Sequence, residues 1–244
     1  MSGHSKWANI KHKKEKTDSQ KAKIFTKLGR EIAVCVKQGG PDPQSNFKLK
    51  DIIYKAKSNN MPNDNIERCI KKAAGEGGDD DYMEMTYEGY GPKGIAVIVE
   101  TLSNNKNRTS GDIKHFFDKF GGNLGAMGCV SWMFDKKGLI VIEQDSDVDE
   151  ETLMMDALDA GAADFEPNED CYEITTSPED FSGVVDALEG KGYTLASAEV
   201  TMIPQNYISL TDDHDKVMMN KLLENLEDND DVQNIYHNWE NPED

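Results

Sequence analysis

Near residue 75 the hydrophobic period of this chain changes, and that change limits the fold more than any other feature. Upstream, apolar residues recur at helical spacing. Downstream, short apolar runs alternate with helical stripes, the pattern of strands interleaved with helices. The break is Gly75-Glu76-Gly77-Gly78-Asp79-Asp80-Asp81, a linker by composition. At 244 residues the chain is too long for one small core, so several domains are expected.

In the upstream part, Ala22, Phe25, Leu28, Ile32 and Cys35 form one helical stripe, with Thr17 and Gln20 at capping-box spacing before it. Gly39-Gly40, followed by Pro41 and Pro43, should end that helix. A second helix is predicted over Asn46–Asn59, with Leu49, Ile52, Ile53 and Ala56 inward. The turn Met61-Pro62-Asn63-Asp64 opens a third, bearing Ile66, Cys69, Ile70 and Ala73.

Downstream, Met83–Glu88 and Ile95–Leu102 read as strands joined by Gly89-Tyr90-Gly91-Pro92-Lys93-Gly94. That run matches G-x-G-x-x-G, but it precedes a strand rather than opening a helix and contains a proline, so it is a hairpin turn and not a dinucleotide site. A helix with Ile113, Phe116, Phe117 and Phe120 follows, with Thr109 as expected cap and Asp112 at its third position. Lys106 and Arg108 beside that start would also suit a phosphate. Gly121-Gly122 closes it. Cys129–Phe134 and Leu139–Glu143 are predicted as two separate strands.

Next come a helix with Leu153, Ala157 and Leu158 inward and a strand over Cys171–Thr175. A helix then starts at Ser177-Pro178-Glu179-Asp180, with Phe181, Val184, Val185 and Leu188 inward, and a strand over Tyr193–Met202 follows. Tyr207–Leu210 is a short strand, and Thr211 caps a helix with Val217, Met219, Leu222, Leu223 and Leu226. Val232–Trp239 is the last strand. The expected architecture is multidomain α+β: a three-helix domain (1–75), a linker (76–81), a discontinuous α+β domain (82–136 and 204–244) and an inserted α+β domain (137–203).

Charge divides along the same line. Residues 1–72 hold 17 Lys+Arg against 7 Asp+Glu, leaving 27 − 17 = 10 basic and 46 − 7 = 39 acidic side chains for the remainder. A cationic end on an acidic body is suited to docking on phosphate, because Lys and Arg release condensed counterions there. The candidate contacts are Lys6, Trp7, Lys11, His12, Lys13, Lys14 and Lys16 of the N-terminal arm, then Lys21, Lys23, Lys27 and Arg30. Asn63, Asn65 and Arg68 of the third-helix turn and Arg108 complete the set. Trp7 and His12 offer rings for stacking on bases, although Trp7 equally suits a core anchor for the arm.

Other chemistries find little support. The histidines show no metal-ligand spacing, no nucleophile elbow or phosphate-binding Gly-Lys-Ser/Thr loop occurs, and the acidic run Glu227–Asp231 lacks the glycine and glutamate of a calcium loop. No catalytic residue, cofactor or metal is expected. The longest aliphatic run, Ile95–Val99, is far short of the roughly 20 residues of a membrane span. With no apolar stretch after the basic N-terminus and no paired cysteines, the expectation is a cytoplasmic protein with reduced Cys35, Cys69, Cys129 and Cys171.

Gly3-His4-Ser5-Lys6-Trp7, Ile10-Lys11-His12-Lys13-Lys14, Asn60-Met61-Pro62 with Asp64-Asn65-Ile66, Tyr87–Pro92, Asn107-Arg108-Thr109 and Gly121-Gly122-Asn123-Leu124-Gly125 together resemble the YebC/PmpR family. The resemblance runs from the first residues to the C-terminal strand. It implies a helical N-terminal domain and two ferredoxin-like α/β-sandwich domains, one inserted in the other. It also implies a bacterial cytosolic, non-enzymatic regulator of gene expression, described for the family as a DNA-binding transcriptional regulator. Mitochondrial relatives are translational activators, and bacterial ones are linked to ribosomes stalled on proline-rich stretches. Lys50 and Lys114 stand where the family pattern has arginine, keeping charge but not the bidentate fork. The partner is therefore expected to be nucleic acid, either DNA or ribosomal RNA, with a basic protein bound by the acidic domains as a third reading. No membrane partner is expected, and a monomer is favoured.

Overall fold

The computed structural model describes residues 18–75, 82–144 and 148–240. In chain order its elements are helices α1 (Asp18–Gly39), α2 (Phe47–Ser58) and α3 (Asn63–Ala74), then strands β1 (Met83–Tyr90) and β2 (Ala96–Ser103), helix α4 (Lys106–Lys119) and the short strand β3 (Asn123–Leu124). There follow β4 (Phe134–Glu143), α5 (Glu150–Asp159), β5 (Asp164–Pro167), β6 (Cys171–Thr176), α6 (Phe181–Gly190) and β7 (Ser197–Pro204), then α7 (Asp213–Asp228) and β8 (Val232–His237). The architecture is multidomain α+β, with a helical N-terminal part and two four-stranded sheets. Contacts divide the chain into two compact units, residues 18–75 with 136–201 and residues 82–135 with 202–240.

In the first unit, α1–α3 close around Leu28, Ile32, Cys35, Val36, Leu49, Ala56, Met61 and Ile66. The α1–α2 corner is fixed by one buried amide. Asn46 Nδ2 donates to the Cys35 carbonyl at 2.8 Å and the Gly40 carbonyl at 2.9 Å, while Oδ1 accepts from Leu49 N at 3.1 Å. A Cβ on Gly39 would lie 2.7 Å from this side chain, and Gly40 has φ +87°, so both glycines are required. The rest of the unit has the β-α-β-β-α-β order of a ferredoxin-like fold, with strand order β5-β6-β4-β7. Its core holds Ile140, Ile142, Leu153, Ala157, Ile174, Phe181, Val184, Val185 and Leu188, together with Tyr54 from α2. The Tyr54 ring meets Phe181 edge-on at 6.1 Å, its hydroxyl donates to Asp186, and Lys50 Nζ reaches Asp186 at 2.5 Å.

In the second unit the sheet order is β3-β1-β2-β8, all antiparallel. The central strand β2 is buried on both faces. Val97 and Val99 pack with Ile113, Phe117, Leu222 and Trp239, while Ala96 and Ile98 pack with Val130 and Phe134. This explains why it reads as an unbroken apolar run rather than an alternating one. The Gly89–Gly94 run is a hairpin turn, with Gly91 N donating to the Ile95 carbonyl and Lys93 at φ +55°. Gly89 lies so close to the Asn123 carbonyl and the Phe117 ring that any Cβ would clash.

Several local expectations change. Asn105, not Thr109, caps α4, and Thr109 lies buried one turn inside. Cys129–Phe134 is not a strand: it contains a short 3-10 turn, Ser131–Met133, and β4 runs unbroken from Phe134 to Glu143. β4 and β7 each span both units, the divisions falling after Asp135 and after Thr201. Ser177 holds a separate turn through Asp180 N, and the regular helix begins only at Phe181. Asp212 caps α7 in place of Thr211, Tyr207–Leu210 reduces to a single bridge from Ile208 to Trp239, and β5 was not anticipated. Ala22, Leu158 and Val217 face solvent rather than the core. Among the described residues no helix is long and apolar enough to cross a membrane.

Candidate nucleic-acid interface

Of the sequence-predicted contacts, Lys6, Trp7, Lys11, His12, Lys13, Lys14 and Lys16 lie outside the described residues, as does Thr17. The others fall at three places. Lys23, Lys27 and Arg30 occupy positions i, i+4 and i+7 of α1, one stripe on the face away from Leu28 and Ile32, whereas Lys21 lies on the opposite side, in the first turn of the helix. Lys21 and Lys23 are exposed; Lys27 and Arg30 are half-buried. Lys55 Nζ bonds both Glu31 oxygens at 3.1 Å, tying α2 to the neighbouring turn of α1. This cation is committed to the bundle itself, whereas Lys50 is committed to Asp186 of α6.

The second place is the start of α3. Asn60 takes φ +58°, a left-handed conformation that asparagine tolerates, and Met61 is buried. Pro62 precedes the helix without a side-chain cap, so Asn63 and Asn65 stand on an open first turn where the helix dipole is positive. Arg68 Nη2 donates to Asn65 Oδ1 at 2.7 Å, which joins these two predicted contacts into one polar patch.

Arg108 lies in the second unit and is already engaged. Its Nη2 donates to Asp231 Oδ2 at 2.7 Å, the oxygen that also accepts from Ser103 Oγ at 2.9 Å and Thr109 Oγ1 at 2.8 Å. Burial alone would raise the Asp231 carboxyl, but Arg108, Thr109 and Ser103 outweigh it and hold the group below its ordinary range. Arg108 in turn is raised by the same partner. Half of its side chain remains exposed, so the guanidinium can face outward while one nitrogen is pinned.

Sequence reading missed two arrangements. One is the Tyr54–Asp186–Lys50 cluster, where burial pushes the tyrosine up and the hydrogen bond to Asp186 adds to it. The other is the buried carboxylate of Glu88, only 4% exposed. Gly128 N donates to its Oε1 at 2.8 Å, and Val130 N and Ser131 N each donate to its Oε2 at 2.9 Å. Burial would raise this carboxyl; the three backbone donors hold it below the ordinary value instead. The only sequence signal was an acidic residue inside a strand, since its partners are backbone amides some 40 positions away.

A basic helical bundle joined in one chain to acidic, sheet-bearing α+β parts defines the class of protein by its architecture. Residues 5–76 match the family model for the TACO1/YebC N-terminal domain, and residues 82–239 match the model for the TACO1/YebC second and third domains. The chain belongs to the TACO1/YebC family. It is 63% identical to a probable transcriptional regulatory protein of Acetivibrio thermocellus, over 98% of this chain and 99% of that one. It is 62% identical to a protein of the same description from Ruminiclostridium cellulolyticum, over 100% and 98%. The crystal structure of a conserved hypothetical protein from Aquifex aeolicus is similar with a TM-score of 0.82 and 44% identity, covering 98% of both chains.

Proposed function

We propose that this protein is a cytoplasmic, non-enzymatic regulator of gene expression that docks on nucleic acid through its basic N-terminal arm and three-helix domain (1–75). In this reading the acidic α+β domains, 82–136 with 204–244 and 137–203, carry the opposite charge and repel phosphate. One observation carries it: the described helical residues 18–72 hold 12 Lys+Arg against 6 Asp+Glu, in a chain of net charge −19. Lys21, Lys23, Lys27 and Arg30 supply phosphate contacts, and Asn63, Asn65 and Arg68 set orientation. A structured RNA, such as that of the ribosome, fits better than a DNA duplex. The seven residues from Gly40 to Asn46 between α1 and α2 are longer than a helix-turn-helix allows, and acidic domains repel a duplex lying along them. The relatives' description as probable transcriptional regulatory proteins supports the DNA reading as the alternative.

Co-sedimentation with ribosomes, beside a gel shift on random and genomic duplex DNA at matched physiological salt, separates the two. Ribosome binding that requires residues 1–16, with weak duplex binding, supports the RNA reading. Competitor-resistant duplex binding without ribosome association supports the DNA reading. A protein that keeps its partner after loss of residues 1–16 and binds neither nucleic acid is an adaptor.

A further inference from the structure

In a ferredoxin-like fold the helices cover one face of the sheet and leave the other to solvent. Here the second face is buried as well. Along β4 and β6, Ile140, Ile142, Tyr172 and Ile174 join the core under α5 and α6, so the alternate residues Leu139, Val141, Cys171 and Glu173 point the other way. These four are at most 3% exposed. Among the described residues their apolar cluster holds only Ala196 besides, and no residue of a helix. The face is also acidic. Glu173 stands between Val141 of β4 and Glu166 of β5, and Glu143 lies opposite Cys171 across the ladder. Burial, with the charges of Glu173, Asp170 and Glu143, pushes the Cys171 thiol up to about 11.

A face that is apolar and acidic at once selects its cover. Around it, residues 136–144 and 148–201 hold 3 Lys+Arg against 16 Asp+Glu. Four segments of the chain lie outside the described residues. Residues 76–81, 145–147 and 241–244 contain no Lys, Arg or large apolar side chain, and each carries acids. Residues 1–17 carry Lys6, Lys11, Lys13, Lys14 and Lys16 against Glu15 alone, with Trp7 and Ile10 among them. They lead into α1, which belongs to the same compact unit as β4 and β6. Such an arm, extended, reaches roughly 55 Å, beyond the roughly 35 Å across a unit of this size. We propose that this face of the inserted domain is the resting seat of the N-terminal arm: its lysines pair with Glu143, Glu166 and Glu173 while Trp7 and Ile10 cover Leu139, Val141 and Cys171. A carboxylate buried as deeply as Glu173 is stable as an anion beside such a cation. Because the same lysines are the phosphate contacts proposed above, nucleic acid and the acidic face compete for one arm. That competition rests on the nucleic-acid reading; the seat itself does not. The device is self-inhibition, in which a dense row of phosphates draws the arm off and sparse anions do not.

Cys171 is the reporter, because it lies under the proposed cover. The full chain is treated with N-ethylmaleimide and the labelling of each cysteine is followed by peptide mass spectrometry, with buried Cys35 as the internal control. Cys171 should be protected in the parent chain. Lys11→Glu, Lys13→Glu and Lys14→Glu together should raise its labelling rate roughly 10-fold or more, the effect of losing three ion pairs at a partly exposed face. Glu143→Lys with Glu166→Lys should do the same, and the five changes combined should restore protection. A saturating ribosomal RNA fragment should expose Cys171 in the parent chain. Labelling as fast in the parent as in the lysine variant overturns the seat, and so does protection that survives both sets of changes. Protection that is lost on dilution, in step with dissociation of a dimer, makes the cover a second copy and also overturns it. RNA that binds without exposing Cys171 overturns the competition. If RNA fails to bind while lysine-dependent protection holds, the seat is supported and the nucleic-acid reading falls.

Discussion

Substituting Glu88 by glutamine tests the logic of its buried carboxylate. Glutamine keeps the shape but offers one carbonyl oxygen where the carboxylate offers two, and its NH₂ must face at least one backbone N–H. With the amide oxygen toward Val130 and Ser131, the NH₂ confronts Gly128 N; turned around, it confronts two donors. Hydrogen bonds to a charged group contribute about 1.5–3 kcal/mol, and a buried donor left without an acceptor costs about 1–3 kcal/mol. Weakening the two retained bonds and losing the third should therefore destabilise the second unit by about 2–4 kcal/mol. The assay is urea unfolding at several pH values. Because the folded carboxyl lies below the ordinary 4.5, its stabilisation is complete above that value and lost as pH falls through the folded pKa. The gap between wild type and Glu88→Gln should be full at pH 7 and close below about pH 4.5. A gap under about 0.5 kcal/mol, or one independent of pH, would refute the reasoning.

Other substitutions probe separate joints. Asp231→Asn can keep its oxygen toward Ser103, Thr109 and Arg108, which all bond Oδ2, but it turns charge-assisted bonds into neutral ones, so a loss of about 1–2 kcal/mol is expected, read as a lower thermal midpoint. Tyr54→Phe keeps the ring against Phe181 but removes the bond to Asp186, and should cost about 1–2 kcal/mol by denaturant unfolding; Tyr54→Ala should cost about 3–5 kcal/mol. Burial raises Asp51 to about 6, with Lys136 and Lys50 pulling the other way. Its charged form is thus disfavoured in the fold, and stability falls as pH rises from about 4 to about 6. Asp51→Asn should stabilise by roughly 1 kcal/mol at pH 8, after allowance for solvent screening, with the gain gone at pH 4.

Much of this fold was legible because its signals are local. The stripe Leu28–Ile32–Cys35, the Gly39-Gly40 stop and the Gly89–Gly94 turn each depend on neighbours within a few positions, and each formed as read. Misreadings arose where two local solutions competed. Asn105 and Thr109 can both start a helix, and the choice fell to Asn105 because Thr109 is needed, buried, on Asp231. Leu158 and Val217 continue apolar stripes yet meet solvent. The basic face of α1 was visible as composition alone. The Glu88 clamp, the Tyr54–Asp186 bond and the Arg108–Asp231 pair were not, because they span 40, 132 and 123 positions of chain and leave no periodic mark.

The most direct test of the central claim is the salt dependence of binding to a ribosomal RNA fragment, for wild type and for the Lys21→Ala, Lys23→Ala, Lys27→Ala and Arg30→Ala variants. The wild-type log–log slope should be steep, and each substitution should reduce it by about 0.7–0.9 while the fold is retained. Slopes unchanged across the four variants would mean that the basic residues of α1 do not touch phosphate, and would contradict the account.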